Sequence, residues 1–394
     1  MAKKIIFFTF GDPFESQNNL GNFNNWGCRV GYEIIKHTDE FVVEDWTIST
    51  KIKKTLLLRD QLVHRIFPVK KLPLELFEVK KISLTLLKEL KKESKRNEIL
   101  IYINTYSSYF GYLISFLLKN FPIVGQHHGS THPLKLLTRR PYLFWLFPLL
   151  IFEELIEFLT YRYIDQFYVL DIQEKRDLVR IKKVLPQKVK VQNMGVDFEY
   201  FTSCNKIVSR KKLNLPLNSK IIIFIGQFNK AKNVDKVISA YNSLKKSIDV
   251  DLVLVGGQES QEHYALAQES TKHLIGRITQ DMLKLYLSAA DVCCLFLSDD
   301  VKNYAGVGLA PLEALACGTP VVGNSIIHFP EVERSEVGVF VENSEHLASS
   351  IRYVLEHPQK FKNCRSIAKK YYEWDVLIED KLKIFRRLFK KYYS

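Results

Sequence analysis

The feature that most limits what this chain can fold into is a repeated rhythm. Short, continuously apolar runs are separated by longer amphipathic stretches, and the pattern restarts near Lys220. In the first half the runs are Ile5–Phe10, Phe41–Val43, Ile99–Ile103, Ile123–Val124 and Phe167–Leu170. In the second they are Ile221–Ile225, Leu252–Val255, Val292–Leu297, Pro320–Val322 and Val337–Val341. Alternation would mean a sheet with one wet face. Continuous runs mean strands covered on both sides, as parallel strands with crossover helices are. Between the first two runs of the second half, Val234, Val237, Ile238, Tyr241 and Leu244 recur at helical period. The expected fold class is α/β, with two doubly wound Rossmann-like domains facing across a cleft. The length of 394 residues, too great for one ordinary core, agrees. A linker is expected around 200–218, marked by Ser203, Asn205, Pro216 and Asn218. Open α/β sheets bind ligands beyond the carboxyl ends of their strands, so the loops there are where chemistry is expected.

Composition removes several classes. With 46% hydrophobic and 25% charged residues, the chain is globular rather than disordered. Its six cysteines form no C-x-x-C pair, which argues against a disulfide framework or zinc module and fits a reducing cytosol. The N-terminal apolar stretch stops at Gly11-Asp12-Pro13 and reads as a first strand, not a secretory signal. The longest uncharged apolar run, Pro141 to Phe152, is too short to cross a bilayer but could lie on one. The net charge of +14 is concentrated. Residues 51–100 hold 14 Lys/Arg against 6 Asp/Glu, and 361–394 hold 10 against 4. Solvated helix faces would explain this, and so would an anionic surface. Segment 51–96 mixes Leu56, Leu57, Leu58, Ile66, Phe67, Leu72, Leu74, Leu76 and Phe77 with its lysines, a pattern suited to a membrane interface. No nucleic-acid-binding motif accompanies the basic stretches, so nucleic acid is not an expected partner.

The most informative stretch runs from Asp291 to Gly323. A buried strand leads into a polar loop, then Ala305-Gly306-Val307-Gly308-Leu309, then a short helix from about Pro311 to Cys317 that Gly318 ends in the left-handed conformation. A glycine-bearing turn feeding a helix start leaves backbone N–H groups and the positive dipole end facing the strand ends, a cradle for phosphate oxygens. Glu313 is expected on the first turn. A carboxylate beside a phosphate is repelled unless it accepts hydroxyls, as from a ribose 2′,3′-diol. The plainer alternative is that it complements the helix dipole.

Residues Gly306 to Val322 read G-V-G-L-A-P-L-E-A-L-A-C-G-T-P-V-V, which resembles the signature E-G-F-G-L-P-x-L-E-A-M-A-C-G-T-P-V-V of the retaining glycosyltransferases of GT-B architecture called family 4, or glycosyl transferases group 1. The resemblance extends over Ile221 to about Leu355. Residues 273–292 are similar to the family's strand–Gly-Arg–helix element, whose backbone binds the base, here around Gly276, Arg277 and Ile278. Residues 221–241 are similar to its G-R-L-x-x-x-K-G element and put Lys232 on the diphosphate-binding lysine. A fixed ammonium would lower the barrier to departure of a nucleoside diphosphate. Gly226, Gly306, Val307, Gly308, Leu309 and Glu313 then fall on the donor-binding positions. Tyr372-Glu373-Trp374-Asp375 resembles the aromatic motif before the family's last helix, which commonly crosses back onto the first domain. The first half matches less. His127-His128-Gly129 follows a strand where the family places a histidine at the donor sugar, making His128 the catalytic candidate with Lys232. Asn193-Met194-Gly195-Val196-Asp197 resembles the N-G-V-D element with one insertion, and Gly27 sits roughly where a loop glycine pair is expected after strand one.

Two family residues are missing. Ala305 replaces the first glutamate of E-x7-E, which contacts the transferred sugar, and Gln227 replaces the diphosphate arginine. Losing one charge-assisted contact costs roughly 1.5–3 kcal/mol, about one to two decades in rate if it is made only in the transition state. Asp299, Asp300 and Tyr304 are candidate substitutes for the glutamate, and Lys230 or Arg277 for the arginine.

The resemblance implies residues 1–205 as an acceptor-binding domain, 206–370 as a nucleotide-sugar-binding domain and 371–394 as a crossing helix. It implies transfer of a sugar, with retention and without a metal or cofactor, from a UDP- or GDP-sugar to a glycan or lipid-linked acceptor. The expected location is cytoplasmic, peripheral at a membrane met through 51–96 and 141–152. Alternative readings are a nucleotide-sugar epimerase or hydrolase, and a non-catalytic nucleotide- or glycan-binding homologue motivated by Ala305 and Gln227.

Overall fold

A computed structural model describes residues 1–9, 26–49, 54–58, 62–68, 83–104, 106, 109–126, 141–257, 260–298, 308–327, 329 and 332–394. The chain divides into two compact units, Met1–Gln192 together with Ile378–Ser394, and Asn193–Leu377.

The first unit is built on the strands β1 (Lys3–Thr9), β2 (Val42–Ser49), β3 (Lys54–Leu58), β4 (Leu62–Pro68), β5 (Glu98–Ile103), β6 (Ile123–Gln126), β7 (Gln166–Val169) and β8 (Val189–Val191). Their order in the sheet is β3-β4-β2-β1-β5-β6-β7-β8. The pairs are parallel except β3 with β4, where Leu58 lies opposite Leu62. Ile5 to Phe8 are buried because both sheet faces are covered. Ile6, Phe8, Ile101 and Ile103 enter a core with Leu86 and Leu90 of the helix Leu84–Glu93. Phe7 and Tyr102 meet with ring centroids 4.5 Å apart, and Tyr102 also packs edge-on against Phe385 of the C-terminal helix Trp374–Tyr393. Lys381 of that helix is buried, with Nζ 3.1 Å from the Tyr102 hydroxyl and 3.4 Å from the Tyr168 ring centroid.

The strand β2 runs well past the expected Phe41–Val43 because its interior carries acids that look exposed in sequence. Glu44 accepts from Trp46 Nε1 (2.8 Å) and Lys4 Nζ (2.9 Å), while Asp45 accepts from the Thr9 hydroxyl (2.6 Å). These partners make burial of the charges tolerable.

The second unit contains β9 (Lys220–Ile225), β10 (Val250–Val255), β11 (His273–Ile275), β12 (Val292–Leu295), β13 (Val321–Asn324) and β14 (Gly338–Val341), in the order β11-β10-β9-β12-β13-β14 and parallel throughout. The strand order reverses between β9 and β12, the switch point where a doubly wound sheet opens a crevice. Both sheets are therefore Rossmann-like.

Two sequence expectations are corrected, and a third segment is shown to be built into the fold. Segment 51–96, expected as a basic amphipathic stretch, is folded where it is described. Its described parts are the hairpin β3–β4 at the sheet edge and the helix Leu84–Glu93, with Ile66, Phe67, Leu86 and Leu90 buried in the core. Among the described residues Lys88, Lys91, Lys92 and Lys95 are exposed, because only the apolar side of the helix is needed for packing. Residues 72, 74, 76 and 77 lie outside the described residues. The stretch 200–218 is not a loose linker. It holds the helix Lys206–Lys212, whose Arg210 is buried and donates to the carbonyls of Ala289, Leu217 and Ser219 and to the Asp291 carboxylate. Four acceptors around one guanidinium fix this segment against the sheet. Gly27 lies in the first turn of the helix Trp26–His37, not in a loop.

Candidate donor site

The switch point of the second unit collects several of the residues singled out by sequence. Leaving β9, the backbone passes Gly226, whose N–H donates to Val255 O at 3.0 Å. A Cβ built on Gly256 would lie 1.6 Å from Gly226 O. Two strand ends approach here more closely than any side chain permits. After Gln227, which is exposed, Asn229 accepts from the Lys232 N–H at 3.0 Å and starts a single 3₁₀ turn, Lys230–Lys232. The turn carries the Lys232 stem back across the glycine, with Cγ 3.6 Å from the Cβ position of Gly226. Lys232 is half-buried, and burial holds its ammonium below the usual lysine range. An arriving anion would favour the charged form and act against that lowering. Ala231 O accepts from the Ser298 N–H at 3.0 Å, so the residues leaving β9 and β12 are tied together across the switch point.

On the other side, Arg277 is exposed and its Nε lies 2.6 Å from the Cβ position of Gly257. Only a residue without a side chain allows the guanidinium to lie over that backbone. Ile278 is half-buried against the core and leads to the helix Gln280–Ala289, capped by Thr279. Lys230 is exposed.

The helix after β12 runs from Leu309 to Ala316, two residues earlier than expected. Pro311 is tolerated as its third residue because first-turn N–H groups have no intrahelical acceptor. Gly308 precedes it at φ 76° and offers no side chain to those N–H groups. At the far end Gly318 has φ 81°; its N–H donates to Leu315 O at 2.9 Å, and Thr319 N–H donates to Ala314 O at 2.9 Å. These bonds close the helix as a Schellman motif. Glu313 stands on the second turn, not the first, so complementing the dipole is a poor account of it. It is buried near Cys293 and Cys317, and desolvation pushes its carboxyl up to about 7.

Lys232, Gly226 and Ser298 are therefore brought to one end of the sheet, while Gly308, Leu309 and Glu313 sit on the helix that follows β12 and packs on β12 and β13. Gly306, Val307, Asp299, Asp300, Tyr304, Ala305 and His128 lie outside the described residues. Sequence reasoning missed Gly256, Gly257 and Asn229. The Gly-Gly pair directly after the apolar run Leu252–Val255 was the available signal.

Residues 205–371 match the family Glycosyl transferases group 1. The second unit thus carries a domain of that group, and the homologues of the chain are glycosyltransferases. D-inositol 3-phosphate glycosyltransferase of Mycobacterium leprae is 27% identical over 238 residues, which cover 57% of this chain and 54% of the relative. The chain spans about half the length of the curated relatives it matches. Across the whole chain the fold is similar to sucrose-phosphate synthase from Thermosynechococcus elongatus (TM-score 0.75, 20% identity, 99% of this chain and 100% of that one). It is also similar to HepE of Anabaena in complex with UDP and glucose (TM-score 0.68, 17% identity, 98% and 99%). The two Rossmann-like sheets are those of a GT-B glycosyltransferase fold.

Proposed function

We infer that the protein is a retaining glycosyltransferase that moves a sugar from a nucleoside-diphosphate donor, UDP- or GDP-linked, to a glycan or lipid-linked acceptor. The observation that carries this reading is the half-buried Lys232 on the Asn229-capped turn at the switch point, in a domain that matches group 1 glycosyltransferases. The Lys232 ammonium and the N–H groups at the start of Leu309–Ala316 would hold the diphosphate. Glu313, once ionised, would accept the ribose hydroxyls. Arg277 would supply the positive charge that Gln227 lacks, and His128 would orient the donor sugar.

In the reaction the bond between the anomeric carbon and the phosphate oxygen breaks. An acceptor hydroxyl oxygen bonds to the same face of that carbon, and its proton passes to the departing phosphate. The protein contributes position and charge. Pathway chemistry of the kind that builds glycolipids or envelope polysaccharides would use such a product.

A thermal-shift screen over UDP, GDP, ADP and their sugars tests the reading. A donor at about 100 times its dissociation constant stabilises the protein by about 2.7 kcal/mol. The Lys232→Ala variant is expected to lose most of the shift from the nucleoside diphosphate while keeping the melting temperature of the free protein. No shift with any nucleotide would defeat the proposal. Turnover of donor without an acceptor would favour the hydrolase or epimerase alternative, and binding without any transfer would favour a non-catalytic homologue.

A further inference from the structure

The helix Phe147–Tyr161 of the first unit has its polarity reversed. Its acids point inward: Glu157 is buried, accepts from the Tyr112 hydroxyl at 2.7 Å and is ion-paired with Lys182, which also pairs with Glu154. Leu150 and Tyr161 face inward, but most of its large apolar residues point outward. Phe147, Ile151, Phe152, Leu155, Phe158 and Leu159, with Phe144 and Trp145 just before them, are between 41% and 74% exposed. Positions 147, 151, 155 and 158 share one face of the helix. Phe116 and Leu117, at the end of the helix Tyr109–Leu117 packed beside it, are also about half exposed. Scattered exposed apolar residues need no explanation, but a contiguous face of this kind marks something that covers it.

The rim identifies what fits. Arg162, Lys183 and Lys188 line the same pocket of about 250 Å³ as Phe158, and Lys119 Nζ lies 5.7 Å from the Phe116 ring centroid. Glu153 is only partly exposed, and Glu154 and Glu157 are engaged by Lys182, so the border is cationic. Two copies of this face would bring like charges together. A layer of anionic headgroups would neutralise them while its acyl region received the aromatic and aliphatic side chains. The helix has 15 residues, a length of roughly 22 Å, against the ~30 Å hydrocarbon core a spanning element must cross. Among the described residues no helix is long and apolar enough to cross a membrane.

We propose that the outward face of residues 144–159 docks the protein in the interface of an anionic lipid bilayer, lying along it. This does not depend on the transferase reading, and it locates the contact on this helix rather than on 51–96.

The test uses the full chain and two vesicle types, phosphatidylcholine alone and phosphatidylcholine with an equal part of phosphatidylglycerol. The protein is expected to co-sediment with the anionic vesicles at least about tenfold more than with the neutral ones, and to be released by salt at about 0.5 M. The double variant Ile151→Glu with Leu155→Glu is expected to lose binding at least about tenfold while keeping its circular dichroism spectrum and its thermal shift with UDP. A wild-type protein that stays in the supernatant overturns the proposal, as does a folded double variant that sediments like wild type. A lipid-free dimer that the double variant converts to monomer would make the face a self-association surface instead, and also overturns it. Absence of a UDP shift in both proteins would count against the donor site and leave the docking result standing.

Discussion

At the scale of single residues, Glu313 makes the sharpest claim. Its carboxyl is pushed up to about 7 by burial, against 4.5 ordinarily. Between those values the native protein holds a proton that the unfolded chain has lost. Stability of the free protein therefore falls as pH rises through that window, by about 3 kcal/mol in total. The Glu313→Gln variant is expected to lack this loss, which urea melts at pH 4.5, 6 and 7.5 would measure. Ligand binding should show the opposite trend. A ribose diol donating two hydrogen bonds requires the ionised acid, so affinity for a nucleotide-sugar is expected to rise between pH 6 and 8. Below the carboxyl's pKa the gain approaches about tenfold per pH unit. A nucleotide-sugar is the right probe because its diphosphate bears no group titrating in that range. Titration calorimetry giving a flat profile for the wild type would remove Glu313 as the ribose ligand. The sequence made this residue a candidate, and its role as ribose ligand is a proposal, but it did not show that the carboxyl is buried.

At the scale of elements, the pairing of two sequence motifs is the clearest case. Residues 193–197 and 372–375 are far apart in sequence, yet Val196 N–H donates to Tyr372 O at 2.8 Å and Val196 bridges Glu373 in parallel. A Cβ built on Gly195 would lie 2.5 Å from the Trp374 ring. Arg365 fastens the same neighbourhood by donating to the carbonyls of Phe198 and Phe201, each at 2.6 Å. Gly195→Val is therefore expected to displace the indole and destabilise the second unit by about 1–3 kcal/mol. The Trp374 emission spectrum, read in a background where the other tryptophans are phenylalanine, should shift to the red in that variant. An unchanged spectrum and melting temperature would show that the contact does not constrain the indole. Both motifs were legible as motifs. Their adjacency was not, because nothing local in either segment encodes a partner so distant in the chain.

For the whole molecule, the division of the chain matters most. The last residues, Ile378–Ser394, belong to the first unit even though the long stretch before them builds the second. Phe385, Leu388 and Phe389 are buried there, Phe389 stacks on Phe41 with centroids 5.4 Å apart, and Tyr393 donates to Ile99 O at 2.8 Å. Removing three such side chains costs about 3–5 kcal/mol for each aromatic one, comparable to the total stability of a domain. A chain ending at Leu377 is expected to lose the ordered first unit. Limited proteolysis should then cut within residues 1–192 while 193–377 persists. Survival of both units would show that the terminal helix is dispensable.

The amino-acid sequence by itself determined the two α/β sheets, because continuous apolar runs leave a strand no choice but burial on both faces. It also determined the short helix between Gly308 and Gly318, though not its first residue, because backbone conformation at those glycines is a local property. Only the tertiary structure decided which charges are buried. Glu44, Asp45, Glu157, Lys182 and Lys381 read as solvent-facing in one dimension, and each is inside because a partner from elsewhere in the chain, or an aromatic ring, meets it. The same holds for the inverted helix. Its apolar positions are visible in the sequence, but whether a core or the outside receives them depends on where Lys182 and Tyr112 draw its acids, and that is settled by three-dimensional packing.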